Sequence, residues 1–172
     1  MRARGPVEAK TAQRVVTGLR DWMAARIPGT VAAYLAMSDE VELTPLFAAL
    51  PGWRWVLPRV ELDRSLSFRD RAVPRERHPL GMRQPTETGV VTPLHEIDLI
   101  LVPGLAFDVM GGRLGRGAGY YDRVLEGRRG DVLAVGVTTE SRLIAMVPRE
   151  DHDQHVEWLA TESGVRECSP TH

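Results

Sequence analysis

The twelve residues from Gly111 to Asp122, GGRLGRGAGYYD, combine the residue types that bind phosphate groups. Five glycines let backbone N–H groups approach a ligand closely, and two arginines can each donate paired hydrogen bonds to phosphate oxygens. Asp122 would be unfavourable beside a bare phosphate, but it suits a magnesium ion held between a carboxylate and phosphates. The segment therefore predicts an anion site with an associated magnesium ion.

The alternative interpretation of this segment is a glycine-rich surface turn with solvated arginines. Its place in the chain favours a functional site, because it lies between an apolar strand predicted in EIDLILVPG (96–104) and a helix predicted to begin at Tyr120. The connection from Val102 to Tyr120 has about 17 residues. Connections between a strand and a helix usually have about two to six residues, and much longer ones are usually functional or disordered. In open α/β sheets, ligands bind beyond the carboxyl ends of the strands.

The apolar pattern predicts the elements that position this segment. An amphipathic helix is expected from Ala12 to Ile27 and a second helix from an N-cap at Thr44 to Leu50. Further strands are expected in TVAAYLAM (30–37), WRWVLPRV (53–60) and VLAVGVT (132–138), whereas residues 61–89 are predicted to be irregular apart from one short strand at 66–68. The alternation predicts a three-layer α/β/α fold with a largely parallel central sheet and a ligand site at the carboxyl ends of its strands. Residues 1–172 are expected to form one domain with flexible ends at 1–11 and 165–172.

Composition narrows the function classes. The net charge of −1 argues against a nucleic-acid partner, and no apolar run is long enough for a membrane span. Lys10 is the only lysine, which disfavours Schiff-base enzymes and lysine-containing nucleotide loops. The single cysteine, Cys168, excludes an internal disulfide and suits a reducing compartment. We expect a cytoplasmic protein that is a monomer or a weak dimer.

A longer stretch, LILVPGLAFDVMGGRLGRGAGYYDRVL (99–125), resembles the signature of the 5-formyltetrahydrofolate cyclo-ligase family. In that family a PG-x-x-FD segment precedes an RLGRG-x-GYYD loop. The stretches YLAMSDEVELTPL, WRWVLPRV and HPLGMRQP follow the order of other family segments. The resemblance covers Val31 to Pro148.

The resemblance implies conversion of 5-formyltetrahydrofolate to 5,10-methenyltetrahydrofolate, with ATP and magnesium required and ADP and phosphate released. It implies that Arg116 and Tyr120 are catalytic and that Leu35 and Glu40 bind the folate together with residues 116–120. Asp122 and Asp153 are the implied magnesium ligands. The implied nucleotide-binding residues are Arg113, Leu114, Gly115, Arg116, Gly117, Ala118, Gly119, Tyr120 and Tyr121.

A departure from the family pattern leaves one alternative open, and the similarity of other α/β scaffolds leaves another. Relatives begin with an additional helix that carries a lysine and an arginine four residues apart. Lys10 and Arg14 keep this spacing, but they adjoin the helix of this chain that corresponds to the second helix of the relatives. A shortened, catalytically weak or inactive relative that binds folate or nucleotide is therefore a second hypothesis. A sugar-phosphate isomerase or acyl-transfer relative is a third, but it requires a glutamate in the strand-end loop, whose only acids are Asp108 and Asp122.

A basic segment precedes the loop. Six arginines lie between residues 64 and 83, and they suit either the glutamate tail of a folate or an RNA. The alternative is a set of solvated loop arginines that pair with Asp70 and Glu76.

Overall fold

The computed structural model describes residues 5–79, 81–148 and 152–169. Its helices are α1 (Ala9–Ala24), α2 (Thr44–Ala49) and α3 (Tyr120–Gly127). Its strands are β1 (Thr30–Ala32), β2 (Arg54–Val60), β3 (Leu66–Asp70), β4 (Arg75–Arg77), β5 (Arg83–Pro85), β6 (Val91–Thr92), β7 (Leu99–Val102), β8 (Ala106–Phe107), β9 (Arg113–Leu114), β10 (Leu133–Val137), β11 (Trp158–Thr161) and β12 (Gly164–Glu167).

Eight of these strands form one sheet in the order β12-β11-β10-β7-β1-β2-β3-β6. The five central strands, from β11 to β2, are parallel to one another. The strands outside them, β12 on one side and β3 and β6 on the other, are antiparallel to their neighbours. The carboxyl ends of five strands therefore meet at one edge of the sheet.

Helices cover both faces of the sheet. In β7, Leu99 and Leu101 belong to the apolar cluster beneath α1 and α2, whereas Ile100 and Val102 belong to the cluster beneath α3. This alternation follows the two-residue period of a strand and makes β7 apolar on both faces. The expected three-layer α/β/α fold with a largely parallel sheet is confirmed.

The first helix is set by its buried stripe. Val15, Leu19 and Met23 are fully buried at four-residue spacing, and burying an apolar side chain of this size contributes about 1.5–3 kcal/mol. The helix runs from Ala9 to Ala24, so it begins and ends three residues earlier than the apolar pattern predicts.

The second helix begins one residue earlier than predicted. In α2 the N-cap is Leu43 rather than Thr44, and the N–H of Thr44 donates to Glu42 (2.9 Å). Within the described residues, no helix is both long and apolar enough to cross a membrane.

The polar stretch from residue 61 to 89 is more regular than predicted. It contains β3, which pairs antiparallel with β2, and a separate hairpin of β4 and β5. The apolar pattern is weak here because ion pairs and side-chain hydrogen bonds, such as the one from Gln84 to Glu76 (3.3 Å), hold these strands. Of the ends expected to be flexible, residues 9–11 lie in α1 and residues 165–167 in β12.

Candidate functional site

Three loops leave the sheet side by side at its carboxyl edge. Residues 103–119 follow β7, residues 33–43 follow β1, and residues 138–148 follow β10. Because β7 lies between β1 and β10, the glycine-rich loop emerges between the other two. Sheet order therefore brings together side chains that lie far apart in the sequence.

The glycine-rich loop is built on a buried carboxylate. Asp108 is fully buried and accepts hydrogen bonds from the N–H groups of Met110 (3.0 Å), Gly112 (2.9 Å) and Val147 (2.8 Å). The short strands β8 and β9 pair across this turn. Asp108 thus fixes the start of the loop and ties it to the segment after β10, a role that its sequence position did not reveal.

Two glycines in the loop meet distinct steric requirements. Gly111 has φ +84°, and a Cβ atom there would lie 2.1 Å from the carbonyl oxygen of Val156. A Cβ atom at Gly115 would lie 2.6 Å from a guanidinium nitrogen of Arg113. Gly111 therefore allows a close backbone approach, and Gly115 leaves room for an arginine side chain.

That arginine is paired with the first turn of α3. Arg113, whose side chain is 6% exposed, donates to Asp122 over 2.9 Å. Its guanidinium group also lies 5.9 Å from the ring centre of Tyr121. Its buried Nε has no hydrogen-bond acceptor among the described residues, so the guanidinium donors are only partly used. The structure brings together the expected phosphate ligand Arg113 and the expected metal ligand Asp122.

The second arginine of the loop reaches the loop that follows β1. Arg116 donates to Asp39 over 2.5 Å and to Glu40 over 3.4 Å. Its side chain is 41% exposed, whereas those of Asp39 and Glu40 are 14% and 10% exposed. Glu40 also accepts a hydrogen bond from the N–H of Met37 (2.9 Å). Arg116 is therefore an accessible cation held by two carboxylates, one of which is the expected folate acceptor.

Sequence reasoning missed the residues that hold this second loop. Arg142, which is nearly buried, donates to the carbonyl oxygens of Asp39 and Gly5, the latter over 3.1 Å. The hydroxyl of Tyr34 donates to the carbonyl oxygen of Val41 over 2.9 Å. Arg142 lies 103 residues from Asp39 in the sequence, so no local pattern could have linked them.

Two adjacent tyrosines, Tyr120 and Tyr121, lie at the beginning of α3. The helix follows Gly119, which has φ +66°. The Arg123 guanidinium lies 5.6 Å from the ring centre of Tyr120 and donates to the carbonyl oxygen of Ala118 (3.3 Å). Burial raises the pKa of Tyr121 well above its usual value, and the nearby charge of Glu40 raises it further. Tyr121 is therefore a neutral hydroxyl at physiological pH. Leu35 lies on the other side of the sheet edge, packed against the cluster beneath α1.

The two expected magnesium ligands differ in their surroundings. Asp122 accepts from Arg113 through one carboxylate oxygen, and Asp153 lies beside His152, whose Nε2 is 3.8 Å from it. In the described parts of the chain, no three His, Cys, Asp or Glu side chains form a metal-binding group. One or two carboxylates still fit magnesium, which usually keeps water ligands and completes its shell with substrate phosphates.

A cleft of about 670 Å³ opens at the carboxyl ends of β10 and β11. Arg142 lines it with Thr11, Thr139, Ser141 and Glu162, opposite the segment 5–8 that leads into α1. Small-molecule sites commonly have volumes of about 300–1,000 Å³, so the cleft is large enough for a ligand.

The two residues that keep the family's lysine-arginine spacing lie elsewhere on α1. Lys10 is exposed, and Arg14 lines a separate cleft together with Gly164.

The fold and these loops define an α/β protein with a candidate ligand site at the carboxyl edge of its sheet. The sequence profile of the 5-formyltetrahydrofolate cyclo-ligase family matches residues 2–162, and the chain belongs to this family. The 5-formyltetrahydrofolate cyclo-ligase of Escherichia coli is 29% identical over 163 residues, which cover 90% of each protein. That of Mycolicibacterium smegmatis is 40% identical over 74 residues, which cover 42% of this chain and 38% of the relative.

Solved structures agree with this assignment. The chain superposes on the 5,10-methenyltetrahydrofolate synthetase of Aquifex aeolicus with a TM-score of 0.78 and 33% identity, covering 94% of this chain and 82% of the other. The synthetase of Mycoplasma pneumoniae gives a TM-score of 0.74 at 21% identity, which supports the fold alone. The family resemblance and its enzyme class are confirmed, and the isomerase or acyl-transfer hypothesis has no support. The roles assigned to individual residues stay predictions.

Proposed function

We propose that this protein converts 5-formyltetrahydrofolate to 5,10-methenyltetrahydrofolate in a reaction that requires ATP and magnesium and releases ADP and phosphate. The observation that carries the proposal is the contact of Arg116 with Asp39 and Glu40. It joins the glycine-rich loop, which suits phosphates, to the acidic loop that suits a folate ring. Phosphate and folate would therefore meet at one arginine.

The nucleotide phosphates would lie against the loop from Arg113 to Tyr121. Backbone N–H groups around Gly115, Gly117 and Gly119 can approach the phosphate oxygens closely, and the first turn of α3 adds its positive dipole end. Arg116 is accessible and can turn from Asp39 to a phosphate. Arg113 is nearly buried, so we propose that it supports the loop and Asp122 from behind.

The folate would occupy the adjoining side of the edge. The carboxylate of Glu40 is nearly buried and can accept hydrogen bonds from N–H groups of the pterin ring. Leu35 and Tyr120 would flank the ring with apolar and aromatic surface. Residues 116–120 would thus contact both substrates, which the transfer of a group between them requires.

The proposed reaction has two steps. The formyl oxygen attacks the γ-phosphorus of ATP, and the bond to ADP breaks, which converts a poor leaving group into a phosphate. The N10 nitrogen then attacks the formyl carbon, N10 loses its proton, and phosphate departs with the former formyl oxygen. Arg116 would stabilise the charge that develops during phosphoryl transfer, and no nucleophile from the protein is needed.

Asp122 and Asp153 would hold the magnesium ion at the phosphates. The ion supplies charge neutralisation when it is bound with the nucleotide. Asp122 accepts from Arg113 through one oxygen, which would leave its other oxygen available to hold the ion. That arrangement keeps the carboxylate oriented without consuming its whole coordinating capacity.

Release of ADP tests this proposal. With ATP, magnesium and 5-formyltetrahydrofolate present, we expect one ADP for each methenyl group formed, and no ADP when the folate is omitted. ATP hydrolysis that ignores the folate would contradict the proposal. Thermal stabilisation by either substrate without any product would support the non-catalytic relative instead.

A further inference from the structure

One nearly buried arginine from the segment after β10 holds the loop that follows β1. Arg142 is 7% exposed, and its two terminal nitrogens donate to the carbonyl oxygens of Asp39 and, over 3.1 Å, of Gly5. Both acceptors are backbone groups, so this attachment does not depend on what the neighbouring side chains contact. Arg142 therefore fixes the backbone of the loop and joins it to the segment that leads into α1.

The side chains of the same loop depend on a contact that the proposed reaction breaks. Asp39 and Glu40 are nearly buried carboxylates, and both accept from Arg116. In the proposed reaction Arg116 turns to a phosphate. The loop then loses the cation that links it to the glycine-rich loop, while Glu40 has to stay in place to accept hydrogen bonds from the folate ring.

Hydrogen bonds to the backbone flank Glu40 on both sides. Arg142 donates to the carbonyl oxygen of Asp39, and the hydroxyl of Tyr34 donates to that of Val41. Tyr34 belongs to the same loop, whereas Arg142 comes from the neighbouring one. Of this pair, Arg142 is thus the residue that ties the loop to another part of the protein when Arg116 has turned away.

The charge of Arg142 suits this position. Asp39 and Glu40 place two nearly buried carboxylates beside one accessible cation, Arg116. Burial raises the pKa of the Tyr34 hydroxyl, the charge of Glu40 raises it further, and the charge of Arg142 lowers it. Both charges therefore lie near this hydroxyl. A second positive charge at the loop offsets part of the cost of leaving the two carboxylates without Arg116.

The alternative role for Arg142 is to bind an anion in the cleft that it lines. Two acidic residues, Glu8 and Glu162, line the same cleft, so its walls do not select for negative charge. Both terminal nitrogens of Arg142 are already engaged by backbone carbonyl groups. These observations favour a positioning role over direct contact with a ligand.

We propose that Arg142 is a positioning residue of the folate site, which holds Asp39 and Glu40 in place when Arg116 turns to the nucleotide phosphate. This inference rests on the proposed function, because it assumes that the folate ring binds at Glu40. Arg142 contacts neither substrate and acts through the backbone of the loop. Its loss should therefore weaken the binding of the folate and leave the binding of ATP unchanged.

Arg142→Met tests this role, because methionine keeps an unbranched apolar side chain and removes the guanidinium group. Hydrogen bonds from a charged group are lost, so we expect the KM for 5-formyltetrahydrofolate to rise about tenfold or more. The KM for ATP and kcat should stay close to those of the parent protein. Arg142→Lys keeps the charge and can keep one of the hydrogen bonds, so it should restore part of the folate affinity.

Arg26→Met is the matched control. Arg26 also donates to a backbone carbonyl group, that of Trp22 over 2.8 Å, but it precedes the amino end of β1 and lies away from the site. This variant should leave both KM values unchanged. In Arg142→Met, a rise in the KM for ATP as large as that for the folate would overturn the inference, because it indicates a phosphate ligand or a general loosening of the site. If urea unfolding shows that Arg142→Met is not folded, the same comparison is made with Arg142→Lys.

A double-mutant cycle with Glu40 tests the route of the effect. Glu40→Gln alone should raise the KM for the folate. Because Arg142 acts through the loop that carries Glu40, adding Arg142→Met to Glu40→Gln should raise this KM much less than Arg142→Met does in the parent protein. Additive effects would show that Arg142 acts on the folate by another route, and they would overturn the inference.

Binding measurements separate this inference from the proposed function. If no product forms, the dissociation constants of 5-formyltetrahydrofolate and ATP are measured for the same variants. Folate binding that weakens in Arg142→Met and not in Arg26→Met supports the inference even though the proposed reaction fails. Product formation with an unchanged KM for the folate leaves the reaction standing and overturns the inference. Absence of folate binding by the parent protein overturns both.

Discussion

The guanidinium group of Arg113 donates to the carboxylate of Asp122 over 2.9 Å, joining the start of the glycine-rich loop to the first turn of α3. These two residues were expected to bind different ligands, a phosphate and a magnesium ion. Their pairing orients the carboxylate from one side and balances a nearly buried positive charge. The proposed ligand-binding face of the loop is therefore built on an ion pair within the protein.

Asp122→Asn should separate charge from hydrogen bonding at this pair. The amide oxygen can still accept from Arg113 but leaves its nearly buried charge unbalanced, so we expect the free energy of unfolding to fall by about 3–5 kcal/mol. The loss of charge should lower kcat about a hundredfold or more and raise the magnesium concentration needed for half-maximal activity. Urea unfolding and magnesium titrations of activity measure the two effects. An unchanged magnesium requirement would count against Asp122 as a metal ligand.

Arg116→Ala should reduce turnover far more than Arg64→Ala. In the proposed reaction Arg116 contacts the transferring phosphate and Arg64 does not, and the loss of one such donor commonly costs about a hundred- to a thousandfold in kcat. Arg64 is exposed in the turn after β2 and interacts with α3 through its backbone carbonyl group, which alanine retains. Steady-state kinetics of both purified variants provide the comparison. Equal activities would refute the role assigned to the loop arginine.

Gly111→Ala should destabilise the fold at the base of the loop. The added Cβ would overlap the carbonyl oxygen of Val156, and φ is +84°, so we expect a loss of about 2 kcal/mol or more in the free energy of unfolding. Gly130→Ala is the control, because a Cβ there meets nothing within 4 Å. Chemical denaturation of both variants reports the difference. Equal midpoints would show that the backbone approach at Gly111 is not tight.

Cys168 should be a poorly reactive thiol. Burial raises its pKa to about 12, with smaller contributions from the charges of Glu157 and Asp108. The thiolate is the reactive form, so modification by a disulfide reagent at pH 8 should be much slower in the folded protein than in denaturant. The folded pKa exceeds the unfolded value of about 8.5, so the thiol is neutral in both states at neutral pH and does not affect the free energy of unfolding there. As the pH rises above about 8.5, the unfolded thiol ionises first, and the free energy of unfolding should fall. Equal reaction rates in the folded and denatured protein would contradict the burial of this thiol.

The sequence predicted the loop and the layers but not the contacts between loops. Residues 111–122 were recognisable because their glycines and arginines lie within one short stretch, and β7 was recognisable because both of its faces are apolar. Asp39 and Arg142 were missed because their contacts span 77 and 103 residues and depend on the strand order. The hairpin of β4 and β5 was missed because polar side chains, not an apolar period, hold it.

The appearance of the methenyl-folate chromophore tests the central claim most directly. Purified protein is mixed with 5-formyltetrahydrofolate, ATP and magnesium, and each component is then omitted in turn while the absorbance of the product is followed. The proposed reaction predicts a rise that requires all three components and that Arg116→Ala largely abolishes. No rise in the complete mixture, with thermal stabilisation by folate or ATP still present, would contradict the catalytic claim and leave a folate- or nucleotide-binding relative.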